Sequence, residues 1–296
     1  MRLALFNDHR PGVVLGDELI DVSSIVHPLP AEAGGAWAVW LAAGSGTAAL
    51  ERALLSDALP RHPLDSVRLC APLPRPGKII AAPVNYLDHK IEMSEQKTIA
   101  EYGVFLKANS SVIGPGDAIE LPYSDKRIDQ EGELGIVIGT GGRTIPVGDA
   151  LDHVAGYLGL LDISVRSTED RSTRKSFDTF TPMGPWIVTA DEAGDADDLQ
   201  LDCWVAGEHR QSVSTAEMIF GVAELVAYAS SVMTLHPGDV IASGTPAGVG
   251  PLADGDEVRL TIERLGTLVV SVTGQGAIPY GDRPIPSTAS IATSTS

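Results

Sequence analysis

Asp129-Gln130-Glu131-Gly132-Glu133-Leu134-Gly135-Ile136-Val137-Ile138 is the stretch on which the reading of this chain turns. The whole run reads as one strand, and side chains alternate across a strand. Glu131 and Glu133 therefore share one face, and Leu134, Ile136 and Ile138 share the other. Two carboxylates at adjacent same-face positions repel unless something positive lies between them. Gly132 and Gly135 leave room for a close approach. The segment is either a solvated strand face or a pair of carboxylates gathered around a cation.

A third carboxylate follows thirty residues later. Asp162 ends the apolar run Gly156-Tyr157-Leu158-Gly159-Leu160-Leu161, and burying an unpaired carboxylate costs several kcal/mol. It must reach solvent, pair with a cation such as Arg166, or bind a metal. Three carboxylates with no soft ligand nearby suit Mg²⁺, Mn²⁺ or Ca²⁺ rather than zinc.

Outward from this centre, short apolar runs broken by Gly and Pro predict a β-rich α+β fold. Lys78–Ala82, Gly135–Ile138 and Trp186–Val188 are examples. Residues 1–70 read as a small leading domain. In it a hairpin signal, Asn7-Asp8-His9-Arg10-Pro11-Gly12, separates two apolar runs, and a helical stretch weakened by Gly44 and Gly46 covers Ala36 to Leu55. The proline-rich Ala71–Gly77 sets a boundary, because each proline fixes φ and removes a donor. Residues 71–281 then form the main domain. Ser214 with Glu217 predicts a capping box opening a long helix with Met218, Val222, Leu225, Ala229 and Met233 on one stripe, ended by His236-Pro237-Gly238. Residues 282–296, rich in Ser and Thr from Ser287 on, read as a disordered tail.

Composition narrows the function. The 296 residues carry 39 Asp and Glu against 21 Lys and Arg, a formal charge of −18. That balance opposes binding to nucleic acid or an anionic membrane. No apolar run approaches the ~18 residues that would span a bilayer, and no secretory signal is evident. Cys70 and Cys203 stand alone, without metal-ligand spacing. The expectation is a soluble cytoplasmic protein.

The order of several short blocks resembles the fumarylacetoacetate hydrolase family. The blocks are Lys78-Ile79-Ile80; Asn85-Tyr86 with His89, Glu92 and Met93; Phe105-Leu106-Lys107; Gly114-Pro115-Gly116-Asp117; Glu131 with Glu133; and Gly156-Tyr157 with Asp162 and Arg166. Lys175–Phe180, Gly184-Pro185-Trp186 and Ser243–Gly250 complete the series. The resemblance spans nearly all of residues 75 to 275. It implies a mixed β-sandwich roll, a homodimer, and a divalent metal, Mg²⁺ first, held by Glu131, Glu133 and Asp162. It implies a catalytic His89–Glu92 pair and an active-site Lys175, and it places Gly244 and Thr245 against the substrate carboxylate. Arg166 and Lys107 join Lys175 and the metal as the cations that meet an anionic substrate.

The residues suit these roles. On a helix, positions three apart lie on one face, so Glu92 can hold His89 in one tautomer and make it a better base toward water. Lys175 beside a metal can offset a developing oxyanion. The expected activity is metal-assisted hydrolysis of a C–C bond in a 1,3-dicarbonyl acid, an acylpyruvate or fumarylacetoacetate-like compound, in aromatic catabolism. The alternative is an isomerase, tautomerase or decarboxylase of a 2-hydroxymuconate-like or oxaloacetate-like 2-oxo acid. Two residues depart from the family pattern. Pro83 replaces a common glycine, and Glu169 stands where several relatives carry a substrate-holding glutamine. An ionised glutamate only accepts hydrogen bonds. Glu169 either faces the substrate or pairs with Arg166, Arg171 or Arg174.

Overall fold

The computed structural model describes residues 1–30, 34–44, 47–56 and 58–284. Its backbone is a large mixed sheet. The strands run in the spatial order Arg61–Pro63, Glu18–Asp21, Arg10–Leu15, Arg2–Phe6, Thr181–Thr189, Val154–Leu161, Gly132–Ile138, Val240–Ala242, Ile79–Ala81 and Phe105–Lys107. A five-stranded sheet, Glu208–Ser214, Gln200–Val205, Glu257–Ile262, Gly266–Thr273 and Ala118–Glu120, packs against it. Leu134, Ile136, Ile138 and Leu161 meet Leu201, Cys203, Val205, Leu260 and Leu268 in the core between the sheets.

The opposite face of the large sheet is covered as well. Val137, Leu158, Leu160 and Val240 join Leu3, Leu5, Val13, Trp37 and Leu50 in a second core. A strand buried on both faces reads as nearly continuous apolar sequence. That is why Gly132–Ile138 is buried along its whole length. The hairpin forms as expected, Leu3 opposite Val13 and Leu5 opposite Pro11. Its first strand also pairs with Thr181–Thr189, so the leading 70 residues extend the same sheet. Trp37 anchors this region by donating its indole N–H to the Ala4 carbonyl at 2.8 Å.

Three expectations need correction. The stretch Ala36–Leu55 is two helices, Ala36–Ala42 and Ala48–Leu54, broken at Gly44, whose φ of +63° no helix continues through; Gly46 lies outside the described residues. The long helix starts later than Ser214. That serine caps a single 3₁₀ turn, Thr215–Glu217, and the α-helix runs from Val222 to Val232 after Glu224 accepts the Gly221 N–H. Third, the Asp129–Ile138 run is not one strand. Ile128–Gln130 pairs with Ser164–Val165 and Gly250–Pro251 in a small sheet, and the chain passes into the large sheet after Glu131. Most of the segment assigned to the tail, 285–296, lies outside the described residues.

Candidate active site

The passage between sheets at Glu131 sets the site. Glu131, Glu133 and Asp162 are 5%, 2% and 1% exposed, so their strand face is not solvated. Their oxygens lie within 4.8 Å of one another. Asp162 reaches the group because its N–H donates to the Glu131 carbonyl at 2.8 Å, where Val154–Leu161 leaves the sheet. Burying three carboxylates together is unfavourable without positive charge.

Most of that charge comes from the protein. Lys175 Nζ donates to Glu131 and Asp162, each at 2.6 Å. Lys107 Nζ donates to Asp162 and to the Phe180 carbonyl. The Arg166 guanidinium spans Asp129 and Glu131 at 2.6 and 2.8 Å. Asp162 is therefore paired with two lysines, and Arg166, named as one possible partner, is committed to other carboxylates. Burial works against charge on Glu131, but Lys175, Arg166 and His89 outweigh it and hold its pKa well below the carboxylate range. Burial also opposes the Lys175 ammonium, yet Asp162, Glu131 and Glu133 raise its pKa above the usual lysine value. For Lys107 burial prevails and its pKa falls.

Glu133 is the uncompensated member. It accepts the Gly244 N–H at 2.9 Å. Burial first, then the charges of Asp162 and Glu131, push its pKa well above the carboxylate range. What the cluster lacks is a positive charge next to Glu133, and its donors are all carboxylate oxygens. A hard divalent cation between Glu131, Glu133 and Asp162 would supply the charge and suit those donors.

These groups form one end of a cavity of about 310 Å³, lined also by Pro83, His89, Phe105, Arg166, Glu169, Arg171, Arg174 and Thr245. His89 lies on the short helix Leu87–Glu92 with Nδ1 3.3 Å from Glu92, as their spacing predicts. The other Glu92 oxygen accepts the Gly248 N–H at 3.0 Å. That contact needs a glycine: at Gly248, φ is +96° and a Cβ would sit 1.9 Å from the Arg210 carbonyl oxygen. Gly244, in the same loop as Gly248, has φ +92°, and a Cβ there would sit 2.8 Å from the Asn85 Cβ. Thr245 lines the cavity, whereas Gly244, Lys107 and Glu92 do not and reach it through hydrogen bonds to Glu133, Asp162 and His89.

Three supporting residues were given no role in the sequence reading. Gln211, from the second sheet, donates to Thr245 Oγ1 and the Pro246 carbonyl and accepts the Gly132 N–H, tying the glycine loop to the carboxylate strand. Asn85, fully buried, donates to the Phe220 and Ser243 carbonyls and accepts the Phe220 N–H. It was visible only as part of a motif. Asp129 anchors Arg166; its place two residues before Glu131 was the available signal. Glu169 pairs with none of the three arginines expected. It accepts from the Tyr280 hydroxyl and ion-pairs with Arg283 at 3.3 Å.

The chain is similar to proteins of one family. Residues 78–273 match the fumarylacetoacetate (FAA) hydrolase C-terminal family. The chain is 44% identical to maleylpyruvate hydrolase of Aquipseudomonas alcaligenes over 290 residues, covering 92% of this chain and 99% of that protein. It is 39% identical over 246 residues to the mitochondrial oxaloacetate tautomerase FAHD2A of Homo sapiens, covering 79% and 78%. Its fold matches a crystal structure of maleylpyruvate hydrolase from Sphingobium sp. SYK-6 in complex with manganese(II) and pyruvate. The TM-score is 0.83 and the identity 40%, over 93% of this chain and 99% of that one. With its buried carboxylate trio and the order of its sequence blocks, the chain belongs to the fumarylacetoacetate hydrolase family.

Proposed function

We propose that this protein is a divalent-metal-dependent hydrolase that cleaves a C–C bond in a 2,4-dioxo acid of the acylpyruvate type. The observation that carries this reading is the position of His89, backed by Glu92, in the same cavity as the Glu131–Glu133–Asp162 cluster. The similar hydrolases of Aquipseudomonas and Sphingobium support it. The ion, when bound, supplies Lewis-acid polarisation and a template for the dioxo unit.

The chain's own residues supply the rest. His89 Nδ1 faces Glu92, which leaves Nε2 to take a proton from a water attacking the distal carbonyl. Glu92 offsets the imidazolium charge that results. The Lys175 ammonium spends two donors on Glu131 and Asp162 and keeps a third for the oxyanion of the tetrahedral adduct. Collapse of that adduct breaks the C–C bond, giving a carboxylic acid and the enolate of a 2-oxo acid, which is then protonated. Lys107 and Arg166 position Asp162 and Glu131. Gly244 holds Glu133, and Thr245 meets the substrate carboxylate.

Mg²⁺ is the ion proposed, with Mn²⁺ and Ca²⁺ as competitors of the same donor preference. A homodimer, a cytoplasmic location and a role in aromatic catabolism complete the reading. It is supported by the family resemblance and by two buried cysteines that remain free thiols. No described helix is long and apolar enough to cross a membrane. The boundary at 71–77 is proposed as the junction of a leading unit with the catalytic body, supported by a family match that begins at residue 78. The test is loss of the ultraviolet band of an acylpyruvate enol with Mg²⁺ or Mn²⁺ and after chelation. Turnover that survives exhaustive metal removal overturns the mechanism. The tautomerase relative favours a second reading, in which His89 moves a proton and no water adds. Product mass separates the two: hydrolysis gives two fragments, tautomerisation none.

A further inference from the structure

Charge around the cavity is paired at every cation but one. Lys175 is bound to Glu131 and Asp162, and Arg166 to Asp129 and Glu131. Arg171 faces Glu95 at 3.6 Å and lies over the Tyr102 ring at 4.2 Å. Glu95 and Glu169, the two acids of the half-exposed end, take hydroxyls from Tyr102 and Tyr280, and Glu169 takes Arg283 as well. Arg174 lines the same cavity, and its guanidinium has no hydrogen-bond or ion-pair partner among the described residues. Its charge is disfavoured first by burial and then by Arg166, so the guanidinium sits in a place that an anion would relieve.

Position selects which anion. The carboxylate cluster is fully buried, whereas Arg174 ends the half-exposed helix Arg171–Arg174. A substrate whose dioxo unit lies on the cluster directs its other end outward. We propose that Arg174 binds a carboxylate at the far end of the substrate, so that the enzyme selects dicarboxylic acylpyruvates over acylpyruvates with a neutral tail. A planar guanidinium with five donors matches such a carboxylate in bidentate fashion. This inference rests on the hydrolase reading above.

The test compares kcat/KM for two acylpyruvates with Mn²⁺, one ending in a carboxylate, as maleylpyruvate does, and the other in its methyl ester. Wild type is expected to prefer the diacid. Arg174→Met is expected to cut that preference by about 30-fold, mainly through KM, and Arg174→Lys to restore part of it. Equal losses on both substrates, or an unchanged ratio, overturn the role of Arg174 and leave the hydrolase reading standing. A wild type that cleaves neither compound overturns both.

Discussion

The two ends of the active-site cavity are built on opposite electrostatic terms. At the buried end, Glu131, Glu133 and Asp162 crowd together, Lys107, Lys175 and Arg166 neutralise much of their charge, and the deficit is positive charge beside Glu133. At the outer end the acids already have partners, and a guanidinium is left over. One end is short of a cation and the other of an anion. A divalent ion and an anionic substrate tail complete them separately, so an acidic protein of charge −18 can bind an anion. Exposed charges beyond a Debye length of roughly 8 Å are screened at physiological salt, leaving the local cations to decide.

The largest effect should come from the buried end. Glu133→Gln is expected to abolish Mn²⁺ binding by calorimetry and lower kcat by about 10³-fold or more. Because burial and the neighbouring Asp162 and Glu131 disfavour charge on Glu133, the neutral variant should change the metal-free melting temperature little. A variant that still binds Mn²⁺ would break the contrast between the ends.

His89 comes next. His89→Gln is expected to retain ion binding while kcat falls by about 10²–10⁴-fold, the usual worth of a positioned base. Loss of ion binding as well would merge the two functions. Saturating ion should also stabilise the folded chain, by about 2.7 kcal/mol at a free concentration of 100 Kd, read as a rise in melting temperature. That rise should vanish in Glu133→Gln and persist in Arg174→Met.

The smallest effect belongs to Glu169. Hydrogen bonds from Ser167 and Tyr280 hold its pKa at about 2, below the ordinary 4.5. A depressed carboxylate stabilises the fold above its unfolded pKa and loses that contribution as pH falls toward the folded value. Melting of wild type and Glu169→Gln should therefore converge between pH 4.5 and about 2. The gap is small, because the group is partly exposed and solvent screens it. A constant gap across that range would disconnect Glu169 from its partners.

Much of this was legible in the chain. The alternation around Glu131 and Glu133, the apolar run ending at Asp162 and the three-residue spacing of His89 and Glu92 are local patterns, fixed by strand and helix periodicity. The helix limits were less so. The break at Gly44 and the late start at Val222 depend on backbone angles and on Glu224 turning back to Gly221.

What the sequence determined by itself was the family, the β-rich fold and the candidate residues for the chemistry, because residue type and order carry that information. Only the tertiary structure decided which charges neutralise which. Arg166 takes Asp129, Lys107 takes Asp162 and Glu169 takes Arg283, pairings separated by 37, 55 and 114 positions. Such contacts arise when distant strands pack, and Coulomb energy depends on distance in space and on burial, neither of which is written in sequence spacing. Arg174 shows the consequence: that its guanidinium has no partner among the described residues could be seen only after the neighbouring charges had been placed.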